Sequence, residues 1–357
     1  MVSPRLEGPA DAPPVLARLS LLDRLLPLWI LLAMATGLLL GRHFPWLQGR
    51  LDAVKVGQTS LPIALGLLLM MVPVLAKVRY EDLGQARGTA RLLRLCLGLV
   101  WGVGPLLMFG LAWLFLPDQA ALRTGVILIG LAPCIAMVLI WIDLAGGDRE
   151  SAALLVAINS LLQVLGYALL AGFYLQVLPG WLGLPSQNVT FSSLEVGQAV
   201  AIFLGLPLVL GFLIRHFGLR LKGSRWYEQW FLPRLSPWSL IGLLFTIVVM
   251  FALQGEVITS SPLLVARVAL PLLLYFALMW GLAFLLAQRC GFAYPQAATL
   301  AFTAAGNNFE LAIAVSVSVW GVNSGQALAG VIGPLIEVPV LVSLVSLSLW
   351  LRKRAFR

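Results

Sequence analysis

The sequence predicts an all-α integral membrane protein of ten transmembrane helices, arranged as two inverted five-helix repeats with helices 4 and 9 discontinuous. Three observations predict it. The 357 residues are 60% hydrophobic and only 11% charged, with a mean hydropathy of +0.96, whereas a soluble domain carries ~25% charged residues. Ten apolar stretches follow one another, each close to the ~20 residues that a spanning helix needs. Two of them, one in each half, are interrupted by helix-breaking and polar residues near their middles.

Residues 1–20 are rich in Pro, Ala and Arg and read as a disordered cytoplasmic tail. They are not a signal peptide, because Glu7, Asp11 and Asp23 precede an apolar run that is itself long enough to span. The predicted spans are 25–42, 60–77, 95–116, 123–145 and 152–178, forming a first repeat within 21–180. Spans 195–215, 238–255, 266–288, 296–320 and 326–351 form a second repeat over 195–351. Matching spans and both interruptions are offset by about 170 residues, and five spans per repeat insert the second copy upside down.

The net charge of +9 does not indicate a nucleic-acid partner, because the basic residues sit in loops between apolar spans. Of 24 lysines and arginines, all but Arg42, Arg50, Lys55, Arg123 and Arg267 fall on the face that carries the N-terminus. That asymmetry places both termini in the cytoplasm, with the protein in the plasma (inner) membrane and the lipid bilayer as its surroundings. Three cysteines and two histidines are a poor metal inventory. No cofactor is expected.

The second interruption is Thr303–Val315, which holds Gly306, Asn307, Asn308 and Glu310. An acid at bilayer depth costs from ~3 to over 10 kcal/mol, so Glu310 is a functional candidate by position. At the start of a half-helix it also meets the positive end of the dipole. Asn307 and Asn308 can bond either a hydroxylated substrate or backbone groups freed by the break. The first interruption is Gly130–Trp141. Pro133 has no N–H for the carbonyl of Ile129, and Cys134 follows directly, with Val138 and Trp141 expected on its face at i+4 and i+7. A buried cysteine is commonly a small hydrophobe; a thiol beside one break and opposite an acid at the other reads instead as a ligand.

Span 5 carries Asn159, Gln163 and Tyr167 at i, i+4 and i+8, a polar stripe suited to interhelical hydrogen bonds. Span 10 carries Glu337, ranked below Glu310 and assigned to packing. Asp143, Asp148, Arg149 and Glu150 are expected in solvent. The chain lacks a His-rich metal set and a nucleophile–base pair, which argues against an intramembrane enzyme. Paired breaks argue for alternating access over a simple channel.

At Cys134–Val138, Gly306–Val315 and Gly321–Val340 the chain resembles the arsenical-resistance efflux permeases of the bile acid/arsenite/riboflavin transporter superfamily. The likeness runs from about residue 25 to 351. It implies export of trivalent arsenic coupled to proton entry, with arsenite as substrate and antimonite an open question. Cys134 takes the position of the span 4 cysteine that meets the metalloid, and Glu310 that of the span 9 glutamate. A panel of spans 1, 2, 6 and 7 is implied against a core of spans 3–5 and 8–10. Family members often have Arg before the cysteine and Asn after the tryptophan, where this chain has Pro133 and Ile142. The alternative on the same fold is a sodium-coupled symporter of an organic anion, which needs no cysteine.

The charge asymmetry makes a direct prediction. Reporters fused after Arg357 and within the 179–194 connection should label opposite faces of the membrane; labelling on one face would refute the assignment.

Overall fold

A computed structural model describes residues 25–44, 46, 55–56, 59–80, 90–184 and 192–355; the expected tail 1–20 lies outside them. Every predicted span is helical. Helices α1 (Leu26–His43), α2 (Leu61–Ala76) and α3 (Ala90–Phe115) match the first three. A two-residue antiparallel pair, β1 (Lys55–Val56) with β2 (Thr59–Ser60), precedes α2. The fourth span is split into α4 (Ala120–Gly130) and α5 (Val138–Ala145), and α6 (Arg149–Trp181) is the fifth. In the second half, α7 (193–222) and α8 (224–260) are separated by Gly223 at φ +81°. Then come α9 (Pro262–Arg289), α10 (Tyr294–Ala305), α11 (Phe309–Trp320) and α12 (Gly325–Ala355). The ninth span is thus split like the fourth.

Among the described residues, five helical runs are individually long and apolar enough to cross a bilayer, while α1, α2, α4 and α11 are shorter apolar helices. For α4 and α11 the shortness is the break itself. The surface of α6 shows which medium the fold is built for. Asn159, Gln163 and Tyr167 are buried, whereas Leu161, Leu165 and Leu169 on the opposite face are exposed, the latter two by more than 70%. Polar groups inside and leucines outside are the arrangement a lipid solvent demands.

Four helices contain a π turn: Leu99–Val103, Phe173–Val177, Ala201–Gly205 and Tyr227–Phe231. Each ends two residues before a proline, namely Pro105, Pro179, Pro207 and Pro233. A proline removes one ladder bond and crowds the carbonyl four residues back. Here the residue just before each proline donates its N–H five residues back instead, to Leu99, Phe173, Ala201 and Tyr227 in turn. The widened turn makes room for the ring without leaving the helix.

The helices pack in two groups. α8 lies along α1 and α2, and α7 along α2; α3–α6 pack with α9–α12. The first stretch of α7 reaches across to α6 and α11. α1 meets α8 through Gly37 and Gly41, spaced four apart so that two backbones approach closely. A Cβ on Gly41 would stand 2.3 Å from the Ala252 carbonyl oxygen, and one on Gly37 2.6 Å from that of Val248. In the second group, Arg123 is buried, stacks 3.7 Å from the Trp113 ring and caps α3 through the Leu116 and Pro117 carbonyls. Arg267 on α9 pairs with Asp118 in the α3–α4 connection.

Arg149 and Glu150 are exposed, as the sequence reading expects, whereas Asp143 and Asp148 are partly buried. Asp143 is 12% exposed and pairs with Arg149, while Asp148 caps α6 by accepting from the N–H groups of Glu150 and Ser151. The two acids that are drawn in, Asp143 and Asp148, have each found a local partner.

The glycine contact is testable. Gly41→Leu should lower the thermal midpoint of the detergent-solubilised protein by an amount equivalent to ~1–3 kcal/mol, the usual cost of overpacking. Gly110→Ala, where a Cβ meets nothing within 4 Å, should leave it unchanged.

Candidate functional site

Breaking two helices in a dry interior frees N–H and carbonyl groups, each costing several kcal/mol if left alone. The two breaks satisfy each other. Pro133 and Asn307 form an antiparallel bridge. The Cys134 N–H donates to the Gly306 carbonyl at 3.0 Å, and the Asn308 N–H donates to the Ala132 carbonyl at 2.8 Å. The broken fourth and ninth spans therefore cross at their interruptions, held by backbone alone.

Side chains finish the work. The Ile129 carbonyl, deprived by Pro133, accepts from Asn307 Nδ2 at 3.1 Å. The Pro133 carbonyl accepts from Gln163 Nε2 at 2.8 Å, and Gln163 Oε1 accepts from Asn308 Nδ2 at 3.0 Å. Asn308 Oδ1 accepts from the Leu311 N–H at 3.0 Å, so the same side chain caps α11. The Tyr167 hydroxyl donates to the Leu128 carbonyl at 2.9 Å, and Asn159 Oδ1 accepts from Trp101 Nε1 at 3.0 Å. The stripe on α6 is thus an interhelical brace, and both asparagine amides serve freed backbone. Sequence reasoning found all of these residues. It had no means of finding Trp101, whose role depends on a partner 58 positions away.

Cys134 is 1% exposed. Its thiol faces the N–H groups of Met137 and Val138 at the start of α5. It does not share a helical face with Val138 and Trp141, as the i+4 and i+7 spacing predicts. The break extends from 131 to 137 and α5 begins only at Val138. Close to Cys134, a Cβ on Gly306 would stand 3.0 Å from that of the cysteine, so a glycine is what lets the second break approach the thiol.

Glu310 lies in the first turn of α11 and is buried, with Oε1 unpartnered among the described residues. Glu337, on α12 between Pro334 and Pro339, is fully buried; neither of its oxygens has a partner there, and it interacts with Glu310. A buried acid used for packing is hydrogen-bonded. Glu337 is not, which departs from its assignment to packing. Asn307 Oδ1, Asn159 Nδ2 and Trp141 Nε1 are also buried and unpartnered. Cys134 stands at one break and Glu310 in the first turn after the other, and Glu337 adds a second buried, unpartnered acid on α12. Among the described residues no group of three or more His, Cys, Asp or Glu could hold a metal ion. Cys96 is buried on α3 and Cys290 partly exposed at the end of α9; all three cysteines are free.

Comparison with known proteins adds three relatives. Residues 64–261 match the model of the sodium bile acid symporter family. The arsenical-resistance protein Acr3 of Corynebacterium glutamicum is 56% identical over 340 residues, covering 95% of this chain and 92% of that protein. Acr3 of Alkaliphilus metalliredigens is 30% identical over 336 residues, covering 91% and 92%. An uncharacterized transporter of Synechocystis is 35% identical over 357 residues, covering 95% and 90%.

The bracing at the crossing can be checked without any substrate. Asn307→Ala removes the side-chain donor to the Ile129 carbonyl and leaves it only the 3.5 Å bond from the Ala132 N–H, so the thermal midpoint should fall by the equivalent of ~0.5–1.5 kcal/mol. An unchanged midpoint would remove Asn307 from the brace.

Proposed function

The chain belongs to the Acr3 arsenical-resistance family, within the sodium bile acid symporter family, and from that premise we propose that it is a secondary transporter exporting arsenite from the cytoplasm in exchange for protons. It crosses the membrane ten times as two inverted repeats, 21–180 and 195–351, with both termini cytoplasmic. One observation carries the reading. A buried thiol at one break and a buried acid just past the other are brought together where the two broken helices pair backbone to backbone, with a second unpartnered acid buried on α12.

The chemistry of the substrate fits those groups. Arsenous acid is uncharged at neutral pH and carries three hydroxyls on a thiophilic arsenic. The Cys134 thiol displaces one hydroxyl: a sulfur–arsenic bond forms, an arsenic–oxygen bond breaks, and the thiol proton leaves with the hydroxyl as water. Water reverses the step on release. A soft sulfur selects the element, and a single sulfur keeps the bond reversible, where three would hold the ligand too tightly for a carrier. The remaining hydroxyls donate to Glu310 Oε1 and Asn307 Oδ1, the acceptors left without protein partners.

Glu310 takes up and returns the exchanged proton, its protonation alternating with substrate occupancy. Glu337 acts with it, as a second fully buried acid whose oxygens have no partner among the described residues. Asn308 and Gln163 hold the crossing and stand behind the substrate contacts, while Asn159 and Trp141 supply further buried donors.

Sodium coupling is the second reading, favoured by the description of the matching family model. It is disfavoured here because Asn308 Oδ1 and Gln163 Oε1 already accept hydrogen bonds from protein, leaving few neutral side-chain oxygens for a cation.

Two experiments follow in everted vesicles. Cys134→Ser should abolish arsenite transport at normal expression, while Cys96→Ser and Cys290→Ser retain it; equal tolerance of all three would make Cys134 a packing residue. Glu310→Gln should eliminate transport driven by a pH gradient while keeping part of the exchange at equal pH, and Glu337→Gln should do the same. Concentrative uptake by Glu310→Gln under a pH gradient alone would exclude Glu310 as the coupling site, and uptake driven by a sodium gradient would support the second reading.

A further inference from the structure

The turn between α7 and α8 carries chemistry that arsenite transport does not use. α7 ends at Gly223, whose φ of +81° reverses the chain where no Cβ meets a neighbour. The helix that follows is longer than a crossing requires. Its last stretch alone, Leu232–Ser260, has 29 residues, against the ~20 that span a hydrocarbon core. The residues before Trp238 therefore lie at the level of the headgroups.

That segment is built as an interfacial surface. Trp226, Trp230, Arg234 and Trp238 recur every fourth position and so fall close together along one side. Trp230 is 46% and Trp238 51% exposed. Trp226 stacks on Trp230 with centroids 5.3 Å apart, and the Arg234 guanidinium lies 4.1 Å from the centre of the Trp230 ring. Arg220 and Lys222 before the turn and Arg225 just after it are exposed. The sole acid between 216 and 240 is Glu228, which already pairs with Arg79 at 3.3 Å and Arg215 at 3.6 Å. Four exposed cations thus stand beside a row of indoles, with the local acid already paired.

We propose that the α7–α8 turn binds the anionic headgroups of phospholipids, with Arg220, Lys222, Arg225 and Arg234 meeting phosphate and the tryptophans seated among the glycerol and upper acyl groups. Charge selects the headgroup, and indoles prefer that depth. The turn is tied to the rest of its helix group. The Tyr227 hydroxyl donates to the Ala76 carbonyl at the end of α2 at 2.9 Å, and Arg79 just beyond α2 pairs with Glu228. Lipid bound there holds α1, α2, α7 and α8 to the bilayer surface while leaving α3–α6 and α9–α12 untethered.

The test uses the full-length protein in mild detergent, with native mass spectrometry reading retained phosphatidylglycerol against phosphatidylcholine of the same acyl chains. The unaltered protein should retain phosphatidylglycerol preferentially. Each cation changed to Gln should weaken retention about fivefold, and added salt should do likewise. Arg220→Gln and Arg234→Gln, both at exposed positions, give the graded effect even if the fourfold variant fails to fold, and Arg→Lys replacements should keep it. Retention that is unchanged in these variants would overturn the proposal. So would displacement of the lipid by millimolar inorganic phosphate, which would mark a soluble-anion site.

Discussion

The dry interior forbids an unwound backbone unless every freed group finds a partner, and the rest of this structure is arranged around meeting that condition. Two broken helices cannot each be repaired by water, so they are repaired by each other, through the bonds from Cys134 to Gly306 and from Asn308 to Ala132. That choice fixes the relation between distant parts of the chain. It brings a cysteine from the first half against a Gly-Asn-Asn-Phe-Glu run from the second. It recruits Gln163 and Tyr167 from α6 as braces. It leaves the electrostatically active groups at the one place where the helical ladder is already open.

Much of this was legible in the sequence because membrane folding leaves coarse marks. Apolar length located every helix, and Pro133 and Gly306 located both breaks. Pro133 even identified the deprived carbonyl, Ile129, that Asn307 now serves. Other features were out of reach because they depend on partners distant in sequence. The choice between substrate and backbone for Asn307 and Asn308 could not be made without knowing that the two breaks cross. The helical face assumed for Cys134, Val138 and Trp141 failed because a proline's effect on the following turn is decided by what that turn can bond to. Once Cys134 had Gly306 as a partner, the chain could stay out of the helix until Val138. The Gly37–Gly41 spacing and the four Pro-linked π turns were visible as residues, but their meaning lay in contacts and ladder geometry.

The treatment of proline divides the molecule by purpose. At Pro105, Pro179, Pro207 and Pro233 the helix absorbs the ring by widening one turn, and the axis continues. At Pro133 the helix stops. The difference lies in what is available nearby. At the four π turns the residue before the proline still finds a carbonyl in its own helix, five positions back. Around Pro133 the second break offers Gly306 and Asn308, and Asn307 and Gln163 offer amides, so opening the ladder costs little. A break with partners is cheap, and only a break with partners can carry a site at this depth.

The same condition explains why the acids stand apart from the polar groups that brace the crossing. Asn308, Gln163 and Tyr167 have each found a protein partner, and their positions are fixed by it. Both oxygens of Glu337 and one of Glu310 have none among the described residues, although a buried acid would gain from any donor within reach. Groups consumed by structure cannot change partners without undoing the crossing. Groups left over can. In the proposed cycle the thiol, Glu310 and Glu337 exchange a proton for a neutral hydroxylated ligand while the braces keep the two breaks in register. The braces and the reactive groups are therefore drawn from the same short stretches of chain and distinguished by whether the backbone needs them, with Asn307 in both roles: its Nδ2 braces the Ile129 carbonyl while its Oδ1 is left over.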